Sequence, residues 1–311
     1  MIDPVGRPLL TVLAGTLVLS VSACHSVGPM RDLGELPPPP PSSSAWQPVT
    51  RAVSATSPAV ELSRPVVLPR LDANPSDRVQ WVEAPVLRAA PTGVSRLLAD
   101  VESRLPPEMG YQYRDRDRAT WCHETTHGVH AALRNRYRLP AFYPGGGRCA
   151  LVESPPLTLG EVAAVVPERF RGPRYSTYLV NARRDWEREP LYVWDEWVAY
   201  NNGTTTAIEE GGRAGKPLTD DAMACVEFSG YSLAVAIAAH RKGIPLTGPF
   251  RAFLAWELRR SFALSRQALT IPSLAWHDRR LQALWRNNDP FVAEGLRLLQ
   301  PEQVSIAELV P

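Results

Sequence analysis

The chain of 311 residues reads as an α+β protein whose globular part is mainly helical and carries a small β-sheet or hairpin. Three observations predict this. Long stretches free of glycine and proline are built from helix-favouring residues. Short β-prone runs flank the Pro-Gly-Gly-Gly turn at 144–147. The first 75 or so residues have the composition of a leader and a linker, with few residues that could fill a core.

The leader is Leu9 to Ala23, an uncharged apolar run that is too short to span a membrane and ends in small residues, as signal peptides do. Val21-Ser22-Ala23-Cys24 follows and resembles the lipobox of bacterial lipoproteins. The resemblance implies removal of residues 1–23, lipidation of Cys24, and attachment of the mature chain to a membrane of the bacterial cell envelope. His25, where an aspartate would signal retention, implies the outer membrane, with the domain facing the periplasm or the exterior. A plain secretory signal and an uncleaved anchor are the alternatives, because Arg7 and the amino terminus are the only positive charges ahead of the run.

Residues 24–75 form the expected tether. Pro37 to Pro41 is an unbroken proline run, Ser42 to Ser44 follows, and prolines recur as far as Pro75. Fifty residues of polyproline-like chain would reach about 150 Å at roughly 3.1 Å each. The remainder, 76–311, is one domain by length and large enough for a sizeable core.

Within that domain a helix is expected from about Asp115 to Tyr137, a hairpin within 141–156, and a short helix within 190–203 that begins at a proline and stops at Asn-Asn-Gly. A buried helix over 220–243 and an amphipathic one over 249–269 come next, with two shorter helical segments after them. The net charge of +2 and the absence of a dense basic tract give nucleic-acid binding no support. The Arg169–Arg174 cluster reads as a solvated loop, with contact to anionic groups as the alternative. If Cys24 is lipidated, Cys122, Cys149 and Cys225 allow three pairings, or none if they are buried thiols.

The chemistry is carried by residues 121–131, WCHETTHGVHA, which hold three of the six histidines. On a helix His123 and His127 share a face one turn apart, so two imidazoles can meet at one ion, and Glu124 sits about 100° round with access to its open side. A chain of this composition would show this HExxH pattern by chance on the order of 0.01 times. His130 falls on the same face again, but its Cα is roughly 10 Å from that of His123, too far to share a tetrahedral zinc. A substrate contact, a group supporting the ligands, or a partly exposed helix histidine are the readings open to it.

A catalytic zinc needs a third protein ligand. Trp194, Glu196 and Ala199 match the spacing of the second helix in the aminopeptidase branch of the gluzincins, zinc peptidases of zincin fold, so the chain resembles that clan across two short motifs. The resemblance implies a zincin-like domain, zinc as cofactor, Glu196 as third ligand and Glu124 as general base. Asp195 would orient a ligand, or itself bind the metal if the helix phase differs by one residue. The same resemblance suggests an edge strand that pairs with extended substrate, a role the hairpin could fill. The 68 residues between His127 and Glu196 exceed the spacer of the familiar branches, so the clan is implied and the branch is not. The expected activity is hydrolysis of peptide or protein. Hydrolysis of a peptidoglycan amide, or binding of an envelope polymer or partner without turnover, are the alternatives.

Overall fold

A computed structural model describes residues 78–109, 117–210, 224–269 and 279–310. The expected signal peptide, Cys24 and the tether lie outside the described residues, as does the start of the 115–137 helix. In chain order the regular elements are strand β1 (Gln80–Glu83), helices α1 (Arg96–Arg104) and α2 (Arg118–Tyr137), strands β2 (Ala141–Phe142) and β3 (Arg148–Leu151), and helix α3 (Leu159–Val165). A π-helical turn (Ser176–Asn181) precedes α4 (Arg183–Trp186), α5 (Tyr192–Glu209), α6 (Ala224–Arg241), α7 (Gly248–Leu269), α8 (Arg279–Arg286), α9 (Pro290–Leu298) and α10 (Ile306–Leu309). The architecture is mainly helical with one small antiparallel sheet. No helix among the described residues is long and apolar enough to cross a membrane.

The expected hairpin is β2–β3, turned by Gly145, Gly146 and Gly147, all with positive φ that other residues adopt at a cost. The sheet has a third strand that the sequence reading missed. β1 pairs with β3 in the order β1-β3-β2, with Trp81 opposite Ala150 and Val82 opposite Cys149. The domain therefore begins in regular structure almost at once after the proline-rich stretch.

Helix α2 starts where its sequence provides a cap. The Asp117 carboxylate accepts from the Ala119 amide at 3.1 Å and the Thr120 hydroxyl at 2.8 Å, which satisfies donors that the first turn leaves free. It ends at Arg138, whose φ of 60° places it in the left-handed region. Helix α5 is anchored from its other side. Trp194 and Trp197 are fully buried, and the Trp194 ring lies 4.5 Å from Phe250 and 5.6 Å from Phe253, centroid to centroid. Both phenylalanines belong to α7, so the aromatic packing fixes the rotation of α5 about its axis.

Helix α5 corrects one expectation. It does not stop at Asn-Asn-Gly but runs through it to Glu209. Asn201 donates to Glu257 and to the Ser261 hydroxyl, each at 2.7 Å, while Asn202 donates to the Thr126 hydroxyl at 3.0 Å and the Tyr143 carbonyl at 2.9 Å. Gly203 is where α2 comes closest. A Cβ placed there would sit 3.0 Å from the Ala119 carbonyl oxygen and 3.6 Å from the His123 Cβ. These residue types serve tertiary contact here, which overrides their usual meaning as breakers.

Two further outcomes concern the cysteines and the arginine cluster. The three described cysteines are buried and free, so no disulfide braces α2. The arginines at 169–174 do not all face solvent. Arg169 pairs with Asp289 at 2.5 Å, and Arg174 is buried, 3.4 Å from the Glu227 carboxylate.

Gly203→Ala should lower stability by about 1–3 kcal/mol, since the new methyl meets backbone and cannot be relieved by a rotamer change. Gly248→Ala, where nothing lies within 4 Å of the added carbon, should be close to neutral. Thermal unfolding of the two variants side by side checks the expectation.

Candidate metal centre

Helices α2 and α5 pack along one another, and the histidines of α2 meet the adjacent carboxylates of α5 at this interface. His123 Nε2 and His127 Nε2 are 3.0 Å apart, and Glu196 Oε2 lies 3.6 Å from the first and 3.5 Å from the second. Ligands bonded at about 2.05 Å to a tetrahedral ion sit roughly 3.3 Å from one another, so the three edges have the size that a shared ion requires. A point equidistant from the three atoms lies about 2.0 Å from each, within the range of metal–imidazole and metal–carboxylate bonds. Glu196 Oε2 is buried and makes no hydrogen bond. An orphaned carboxylate oxygen facing two imidazole nitrogens suits a cation. His123, His127 and Glu196 could therefore hold a metal ion.

Asp195 has a different place. Its Oδ1 hydrogen-bonds His127 Nδ1, on the side of the ring away from Nε2. Adjacent residues of α5 thus take opposite edges of one imidazole. The direct bond leaves Asp195 in the position of the carboxylate that fixes a ligand histidine's tautomer and orientation, with the proton on Nδ1 and the lone pair of Nε2 directed inward. The same carboxylate touches His130, whose Nδ1 is 3.2 Å from Oδ2. His130 is 1% exposed, which removes the reading of it as a partly exposed surface histidine. Although His127, His130 and Asp195 also converge, the Asp195–His127 hydrogen bond occupies the space an ion would need.

The centre is a buried charge cluster. Burial opposes ionisation of Glu196, but the charge of His127 and the two imidazole nitrogens 3.5–3.6 Å away outweigh it and bring its pKa down to about 2. Burial likewise opposes ionisation of Asp195, and His130 and His127 hold it below the ordinary carboxylate range. For His127 the balance is reversed: burial disfavours the imidazolium, yet Glu196 and Asp195 together raise its pKa well above 6.5. In the metal-free protein this ring therefore carries the proton that neutralises part of the carboxylate pair.

Two of the groups face outward. The His127 side chain is 23% exposed, and Glu124, the residue after His123, is half-buried on α2. On the inner side the Tyr200 ring packs against the His123 ring at 4.4 Å, and its hydroxyl is 2.7 Å from that of Tyr178 on the π-helical turn. Arg174 lies over the Tyr200 ring at 5.0 Å. Neither tyrosine was marked by any motif. Tyr200 stands one helical turn after Glu196, a spacing that puts them on neighbouring parts of one face.

Comparison with known proteins adds no relative: no protein-family model, curated protein or solved structure matches the chain.

Two outcomes are expected. His123→Ala, His127→Ala and Glu196→Gln should each abolish stoichiometric metal, whereas Asp195→Asn should keep the site and weaken it about 10- to 100-fold, as measured by elemental analysis and chelator competition. Because the ion must displace the His127 proton, affinity should fall by about tenfold per pH unit below the pKa of that ring. Calorimetric titrations in two buffers of different ionisation enthalpy should show close to one proton released per ion bound at neutral pH.

Proposed function

We propose that the protein is a zinc-dependent hydrolase with a zincin-like domain of gluzincin type, a metallopeptidase of the bacterial cell envelope. The observation that carries the reading is the meeting of His123, His127 and Glu196 at one point, on a helix where Glu124 directly follows the first histidine. Two imidazoles and one carboxylate are the ligand set of hydrolytic zinc, which leaves a position open, while structural zinc sites are closed by four protein ligands. Zinc held here would supply a Lewis acid for the scissile carbonyl and the attacking water.

The chain's own residues divide the remaining work. Asp195 keeps the His127 ring in one orientation and tautomer. Glu124, which directly follows His123 on the helix and is only half-buried, would be the carboxylate that takes the proton of the attacking water and passes it to the leaving amine. Tyr200 backs the His123 ring and limits its movement. The lipobox-like Val21-Ser22-Ala23-Cys24 and the proline-rich stretch after it support an anchored enzyme that works some distance from its membrane.

Glu124→Gln should leave zinc content unchanged and lower turnover by at least about 10²- to 10⁴-fold. The assay offers a mixed peptide library and purified peptidoglycan to the full chain and reads new termini by mass spectrometry. Cleavage of peptides alone supports the peptidase. Cleavage of peptidoglycan alone moves the assignment to an amide hydrolase of the wall. No cleavage of either by zinc-loaded protein favours a binding lipoprotein, and equal cleavage by wild type and variant removes Glu124 from the mechanism. Separately, Cys24→Ser should release the protein from the membrane fraction or block its processing; unchanged membrane association would indicate an uncleaved anchor.

A further inference from the structure

We infer that His130 is a positioning residue for the metal ligand His127, acting through Asp195; the inference rests on the metal-centre reading above. His130 stands three residues after His127 on α2, so both rings project toward the same part of α5. One carboxylate spans them, with Asp195 Oδ1 on His127 Nδ1 and Oδ2 3.2 Å from His130 Nδ1. A carboxylate held by one oxygen can still rotate about its terminal torsion. Contact at the second oxygen fixes that rotation, and with it the direction in which the first oxygen holds the ligand ring.

The surroundings of His130 are built to keep the ring where it is. Phe142 of β2 packs against it edge-on, 5.9 Å between centroids with the planes at 81°. Both ring nitrogens of His130 are buried without a well-aligned hydrogen bond, and the 3.2 Å approach of Nδ1 to Asp195 Oδ2 is the one ion-pair contact of the ring among the described residues. Glu257 Oε2 is likewise buried without a hydrogen bond. Glu257 is itself held on its other oxygen by Arg260 at 2.9 Å and Asn201 at 2.7 Å. Carboxylates and imidazoles therefore alternate from the candidate metal position: Glu196, His127, Asp195, His130. Burying an imidazole whose nitrogens make no hydrogen bond is unfavourable, and an apolar side chain would fill the same space without that cost. What the histidine contributes is the Nδ1 group beside Asp195.

The test compares His130→Asn, His130→Gln and His130→Leu in the full chain. The asparagine amide occupies the place of Nδ1, and the glutamine amide reaches toward that of Nε2. Zinc affinity by chelator competition should fall about 10- to 100-fold in the leucine and glutamine variants, the range typical of groups that support a ligand histidine. It should return to within about threefold of wild type with asparagine. The visible spectrum of the cobalt-substituted protein should be wild-type-like with asparagine and altered with glutamine, a readout that general loss of packing would not sort in this way. In an Asp195→Asn background, His130→Gln should cost little more, because the link is already broken. Equal affinity in the Asn and Gln variants, or additive losses in the double variant, would overturn the inference even if leucine prevents folding. A wild-type chain that takes up no zinc would instead overturn the metal centre itself.

Discussion

The close approach of α2 to α5 is the constraint on which the rest depends. A glycine at 203 lets the second helix come within 3.0 Å, Cβ position to carbonyl, of the first, beside the His123 Cβ. Trp194, packed on Phe250 and Phe253 of α7, sets the rotation of α5 from the opposite side. With separation and rotation both set, Glu196 falls opposite the gap between two Nε2 atoms and Asp195 falls opposite the back of the His127 ring. Neither carboxylate could do so alone. Ionic groups at the interface of two helices are stabilising only when their geometry is imposed by apolar packing, because burial of each charge is costly in itself.

That cost is met by order across several elements. Asn202 joins α5 to Thr126 of α2 and to the Tyr143 carbonyl after β2, and Arg260 of α7 donates to its side-chain oxygen at 2.5 Å. Arg260 also pairs with Glu257 at 2.9 Å, and Asn201 completes the group from α5. The ionisation of Glu257 is resisted first by burial, against which Arg260 and Asn201 act, and its pKa stays above the usual carboxylate value. A metal ion of charge +2 would offset Glu196 and Asp195, and Arg260 faces Glu257. The fold below the candidate centre is thus a supporting layer of polar side chains enclosed by the aromatic core.

The helices and the histidine pair were legible because their signals are local. Residues 118–137 contain no proline, and the spacing of His123 and His127 determines that they share a face whatever surrounds them. Glu196 was reachable only through a resemblance, since nothing local says which of two neighbouring carboxylates looks toward a helix far away in sequence. The phase is decided by Trp194, and thus by what α7 offers it. The role of Asn201, Asn202 and Gly203 was misread for the same reason. Their conformational preferences point to a stop, while their partners on α2, α7 and the loop after β2 are invisible to a local reading. β1 was missed because four residues beside a proline-rich stretch carry little periodicity, and its pairing with β3 spans a long separation in sequence.

The alternation of histidines along α2 has a use outside this molecule. A five-residue HExxH is a short pattern, and by itself it says little about what surrounds the metal. Here the face is read by three imidazoles, at 123, 127 and 130, against two consecutive carboxylates preceded by a tryptophan, at 194–196. Written as one signature, His-Glu-x-x-His-x-x-His followed at a distance by Trp-Asp-Glu describes the whole candidate centre, including His130 and Asp195 beside the His123–His127–Glu196 group. Chains that share only this pattern, with any spacer between its halves, would be candidates for the same two-helix arrangement even where the rest of their sequences has diverged beyond alignment.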